Sequence, residues 1–117
     1  MEQNQVETAV DSKAKAVLQM IEDYLKLTVR MYVFEPNDKN TWAAIKSEAI
    51  NYCHTLWKKG DLQGNTAEEA YDIHIGLGHT MTADDVANGL IVINAKVALN
   101  GPSAFTEICL QQQMQHN

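Results

Sequence analysis

Positive charge is scarce in this sequence: nine Lys and Arg stand against fifteen Asp and Glu, a formal net charge of −6 over 117 residues. Nucleic-acid phosphates and anionic membrane surfaces are bound through basic patches, so this balance argues against both as partners. Cysteine is nearly absent. Cys53 and Cys109 lie far apart, each in an apolar stretch and in no metal-ligand spacing. They read as reduced core thiols, with a bridge between them left open. No apolar run approaches membrane-spanning length, and residues 1–10 are polar and acidic with no signal-peptide core. The chain is therefore expected in a cytoplasm, or in a particle assembled there. Glycine is too sparse and too scattered for a phosphate-cradling loop: Gly76-Leu77-Gly78 lacks a third glycine and leads into no helix. No serine or cysteine sits in a nucleophile elbow.

What is present is one domain of periodic sequence, 45% hydrophobic and 21% charged. Residues 1–10 read as a flexible lead-in. Asp11 or Ser12 then caps a helix whose inner face is Ala14, Val17, Leu18, Ile21, Tyr24, Leu25 and Thr28. Met31 to Glu35 has the aromatic and β-branched content of a short strand, closed by Pro36-Asn37-Asp38. A second helix is predicted from Asn40 or Thr41, burying Trp42, Ile45, Ala49, Tyr52, Cys53 and Leu56 and ending at Lys58, Lys59 and Gly60. Thr66 and Glu69 have capping-box spacing, with a weaker signal at Thr82 to Asp85. Strands follow over Tyr71 to Leu77, Leu90 to Leu99, and Ala104 to Gln112, the last two joined as a hairpin through Asn100-Gly101-Pro102. The predicted architecture is α+β: two helices packed on one face of a small, largely antiparallel sheet. The domain spans residues 11–112 and a polar tail 113–117.

Catalytic constellations are missing. His54, His74, His79 and His116 are scattered. Asp72, His74 and His79 form the one group near enough in sequence to suggest a metal, and it lacks the short helical spacing of zinc motifs. Glu68-Glu69 and Asp84-Asp85 fall in the first turns of predicted helices, where the dipole alone favours acids. No catalytic, cofactor-binding or metal residue is assigned, no cofactor is expected, and the chain is read as a non-enzyme.

One ordered set of residues is more specific. It runs Tyr32-Val33-Phe34-Glu35-Pro36-Asn37-Asp38, Thr41-Trp42, Leu56-Trp57, Gly60, Leu62, Gly64, Thr66, then Ala67-Glu68-Glu69-Ala70-Tyr71. This pattern resembles the C-terminal domain of contractile-tail sheath proteins, the family of myophage tails, R-type pyocins and related phage-tail-like injection particles. The likeness extends from about residue 12 to residue 112. It departs at Pro102-Ser103-Ala104-Phe105, where Ala104 stands in place of the family's usual acidic residue. Whole sheath proteins are also several times longer.

The resemblance implies a structural subunit. Hexameric rings stack helically around an inner tube, terminal extensions of neighbours add strands to this domain's sheet, and contraction is mechanical. Implied partners are other sheath subunits, the inner tail tube protein and the baseplate, with no nucleic acid and no membrane. The implied location is a virion tail, or the cytoplasm where such a particle assembles. Ile108, Cys109, Leu110, Gln111, Gln112 and Gln113, in a Gln-rich run without Pro or Gly, are expected to extend beyond the body as a linking strand that pairs with a neighbouring subunit. Phe34, Trp42, Leu56 and Tyr71 are expected to be core anchors. Two other readings stay open: a sheath-like adaptor at the baseplate or tail end, and a small metal- or ligand-binding α+β enzyme around Asp72, His74 and His79.

Overall fold

A computed structural model describes the backbone of residues 2–115 and the side chains of residues 12–115. Along the chain lie α1 (Glu2–Met31), α2 (Lys39–Lys58), α3 (Ala67–Ala70), β1 (Tyr71–Ile75), α4 (Ala83–Ala87), β2 (Leu90–Ala98) and β3 (Phe105–Gln113). The expected α+β class is the observed one: two long helices against a three-stranded antiparallel sheet of order β1-β2-β3.

Helix α1 buries Val17, Ile21, Leu25, Thr28 and Val29, a stripe at three- and four-residue steps. It starts at Glu2, well before the cap expected at Asp11 or Ser12, and it continues through Met31. The strand expected over Met31 to Glu35 does not form. Instead the Tyr32, Val33 and Glu35 amides donate to the Val29, Arg30 and Tyr32 carbonyls at 3.1, 3.2 and 2.9 Å, unwinding the helix through successive turns. β-propensity reflects packing against a neighbouring strand, and this segment has none. Phe34 consequently projects outward at 62% exposure and is not a core anchor.

Asp38 starts α2 one residue earlier than expected, its carboxylate accepting from the Asn40 and Thr41 amides at 3.1 and 3.2 Å. The far end closes as a Schellman motif: Gly60, at φ +90°, donates to Trp57 and Asp61 donates to Leu56. Thr41, Ile45, Ala49, Cys53 and Leu56 are buried, with Trp42 and Tyr52 half-buried on the flanks of that stripe. Tyr52 stacks on Tyr24 of α1 with ring centroids 4.0 Å apart, joining the two helices.

The sheet carries the rest of the core. Ile73 and Ile75 of β1, Ile91, Ile93, Ala95 and Val97 of β2, and Ile108 of β3 share one face by register and are buried with the helix stripes. The other face presents the cross-strand rows Asp72–Lys96–Glu107 and His74–Asn94–Cys109. Of the two capping boxes, the expected stronger one is absent. Thr66 makes no side-chain cap, and Glu69 instead accepts from the Asn65 amide at 2.7 Å. Thr82 and Asp85 form the reciprocal pair, at 3.1 and 2.9 Å.

Candidate assembly surface

The residues that carry the family pattern hold loops together. Asn37 accepts from the Trp42 indole at 2.7 Å and donates to the Val86 and Leu90 carbonyls at 3.4 and 3.2 Å, tying the α1–α2 connection to the entry of β2. The Trp57 indole donates to the Gly64 carbonyl at 2.9 Å. Gly64, at φ +133°, sits so close to Glu69 that an added Cβ would lie 2.8 Å from the Glu69 Cβ. Leu62 is buried, while the neighbouring Gln63 amide reaches the Ala98 carbonyl at 2.9 Å. Of the expected anchors, Leu56 is buried; Trp42 and Tyr71 are half-buried and pack against the core.

The expected linking strand, Ile108 to Gln113, does not extend beyond the body in this chain: it is paired along one side with β2 in an unbroken register from Leu90↔Gln113 to Ala98↔Phe105. The ladder continues one step, with the Met114 amide donating to the Gly89 carbonyl at 2.7 Å, and Gln115 donates to Val33 at 2.7 Å. Met114 is buried, so the ordered chain runs past the tail boundary expected at residue 113. In an antiparallel pair, alternate residues direct both backbone groups at the partner. The Met114–Gly89 bond sets the phase. Thr106, Ile108, Leu110 and Gln112 turn inward to β2; Phe105, Glu107, Cys109, Gln111 and Gln113 turn their N–H and C=O groups outward. No strand pairs with that outward row among the described residues.

β1 is the other edge of the sheet. By the same phase its outward residues are Tyr71, Ile73 and Ile75, and the Tyr71 amide is already bonded to the Ala67 carbonyl. The β3 edge is thus the longer and freer of the two. It is flanked by α1: a groove of about 190 Å3 is lined by Lys26, Val29 and Arg30 of the helix and Leu110, Gln111 and Gln112 of the strand. Of the three helix residues, the sequence pattern places Lys26 only on the polar side of the helix and does not single out Val29 or Arg30. Their place beside β3 depends on how α1 crosses the sheet, which periodicity does not encode.

The polar candidates do not converge. His74 Nε2 lies 2.9 Å from Asp72 Oδ2 on the open sheet face, while His79 is exposed in the following loop. His54 pairs with the Tyr71 hydroxyl at 3.0 Å, and His116 lies outside the described residues. Among the described residues no group of three His, Cys, Asp or Glu side chains is placed to hold a metal ion. Both cysteines are free thiols. Burial pushes the Cys53 thiol up to about 12, whereas Cys109 is exposed on β3 rather than buried as its apolar neighbours suggested. Among the described residues, no helix is long and apolar enough to cross a membrane.

Residues 7–100 match the family model of the phage tail sheath C-terminal domain. The chain belongs to that family. It is a family of structural sheath domains, not of enzymes. Solved structures agree with the assignment. This sheath domain aligns with a chain of the 6-fold symmetrised anti-feeding prophage baseplate at 36% identity and a TM-score of 0.69, covering 84% of this chain and 27% of that one. A chain of the contracted PVC sheath complex, from an extracellular contractile injection system, aligns at 30% identity and a TM-score of 0.68, covering 82% and 27%. A chain of the contracted anti-feeding prophage baseplate gives 34% identity and 0.68, covering 81% and 25%. The sheath domain therefore spans about a quarter of the length of the chains it matches. No curated protein matches the sequence. The matched family region ends at residue 100, before β3 begins.

Proposed function

We propose that this sheath domain is a mechanical brick of a contractile injection particle, linked to its neighbours by strand addition at the outer edge of β3. The observation that carries this reading is the undefended edge. Soluble proteins protect edge strands with Pro, Lys, bulges or brevity. β3 is nine residues long, has no Pro, Lys or Arg, and keeps an unbroken register with a single charge at Glu107. An extended segment of a neighbouring sheath subunit laid there would add ladder hydrogen bonds at about 1 kcal/mol each. Ile108 to Gln113 are then shared in a defined sense: their inner side belongs to β2 and their outer side to the neighbour.

Further partners follow from the same reading: sheath subunits in hexameric rings, the inner tube they surround and the baseplate at the end. Subunits linked by backbone ladders can shift as rigid bodies while the links persist, so contraction is driven by packing between subunits and consumes no nucleotide. Two of the aligned structures are baseplates, which keeps a second placement in view, a sheath-like adaptor at the tail end. Electron microscopy of the chain with and without full-length sheath separates the two, since an adaptor decorates sheath ends only.

The strand-addition reading is tested with Gln111→Pro. Gln111 directs its amide outward, so proline there removes a donor to the neighbour and none to β2. The expected result is an unchanged circular dichroism spectrum with loss of incorporation into assembled particles. Normal incorporation of a folded Gln111→Pro chain would refute the proposal.

A further inference from the structure

The groove beside β3 has a charge of its own. Lys26 and Arg30 stand four residues apart on α1, both exposed, with the buried Val29 between them and Leu110 across the groove. Residues at that spacing share one helix face. Neither cation forms an ion pair among the described residues. In a chain with nine Lys and Arg and a net charge of −6, the groove beside the freest backbone edge is lined by two cations and no carboxylate. The strand itself does not neutralise them: the single charge of β3, Glu107, projects to the opposite sheet face, in the row with Asp72 and Lys96.

An added strand would alternate its side chains between the two faces of the sheet. Every second one would point to the helix side, over Leu110 and Val29 and toward Lys26 and Arg30. We propose that the β3 edge selects its partner by this chemistry: an extended segment of another sheath subunit whose helix-side positions alternate carboxylates with β-branched apolar residues. The apolar positions cover Val29 and Leu110, and the carboxylates meet the two cations at the rim. Complementary charge of this kind fixes register and rejects wrong partners more than it adds affinity. It would keep an edge as open as β3 from pairing with any passing strand, including a second β3, whose helix-side residues Thr106, Ile108, Leu110 and Gln112 carry no charge.

This inference rests on the strand-addition reading, and one experiment separates the two. The probes are two fluorescein-labelled, end-blocked peptides, Glu-Thr-Val-Thr-Glu-Thr-Val and its counterpart with Lys in place of Glu. Binding to the 117-residue chain is read by anisotropy, and the site by amide hydrogen exchange. The expected result is protection of Cys109 and Gln111 by the acidic peptide, with at least fivefold tighter binding than the lysine peptide at low salt. That preference should shrink with added salt and invert in K26E/R30E. Equal binding and equal protection by both peptides would overturn the charge selection and leave strand addition standing. Absence of β3 protection by either peptide would overturn both.

Discussion

Asn37 uses every polar atom of its side-chain amide. The oxygen takes the Trp42 indole proton, and the nitrogen reaches the carbonyls of Val86 and Leu90. Truncating it leaves a half-buried indole N–H and the Leu90 carbonyl without the partner Asn37 supplied, while the Val86 carbonyl keeps the Gly89 amide at 3.0 Å, so Asn37→Ala should cost about 2 kcal/mol in a urea denaturation. Gly64 is constrained twice, by its positive φ and by the Glu69 side chain against it. Gly64→Ala should therefore lower stability by about 1–3 kcal/mol. Cys53 supplies a pH signature. Its folded thiol holds a proton up to about 12, above the ordinary value of 9.0, so the folded state binds more protons than the unfolded one between those limits. Its contribution is intact below pH 9 and declines as pH rises through that window. A Cys53→Ala chain should show a shallower alkaline loss of stability in denaturant melts at pH 8 to 11. At pH 8 a thiol reagent should label the native wild type once, at Cys109, and twice after denaturation.

At the level of elements, the periodic segments were legible and the aperiodic ones were not. The stripe from Ile45 to Leu56 and the alternation from Ile91 to Val97 appear in the structure as read, because burial imposes those periods on the sequence. Met31 to Glu35 misled because Tyr32, Val33 and Phe34 are good strand residues with no strand to pair with; α1 simply unwinds through them. The two capping boxes exchanged rank for a related reason. Glu69 is drawn to the Asn65 amide by the loop that Gly64 folds against it, a tertiary contact invisible in Thr66 to Glu69 alone. β3 was recognised as a strand, but its two sides differ in a way that only the register reveals. Leu110→Pro makes that difference measurable. Leu110 turns its amide to β2, so proline there breaks the hairpin ladder, and β3 should lose hydrogen-exchange protection while α1 and α2 keep theirs. Gln111→Pro, one residue on, should leave the ladder protected.

For the whole molecule, the distribution of polar groups explains why the chain reads as a building block. Its signature residues Asn37, Trp42, Trp57 and Gly64 make internal ties, and among the described residues no three His, Cys, Asp or Glu side chains gather to hold a metal ion. Among the described residues, the longest row of backbone groups with no strand partner runs along β3, bordered by cations on α1. A body tied internally, with a long open strand edge, is suited to moving as a unit while staying linked. The most direct test is residue-resolved amide hydrogen exchange, comparing the isolated chain with the same chain incorporated into an assembled sheath. Phe105, Glu107, Cys109, Gln111 and Gln113 should exchange freely when the chain is isolated and become protected on assembly, while Ile108 and Leu110 should be protected in both. Free exchange of the outward five in the assembled particle would contradict strand addition at the β3 edge.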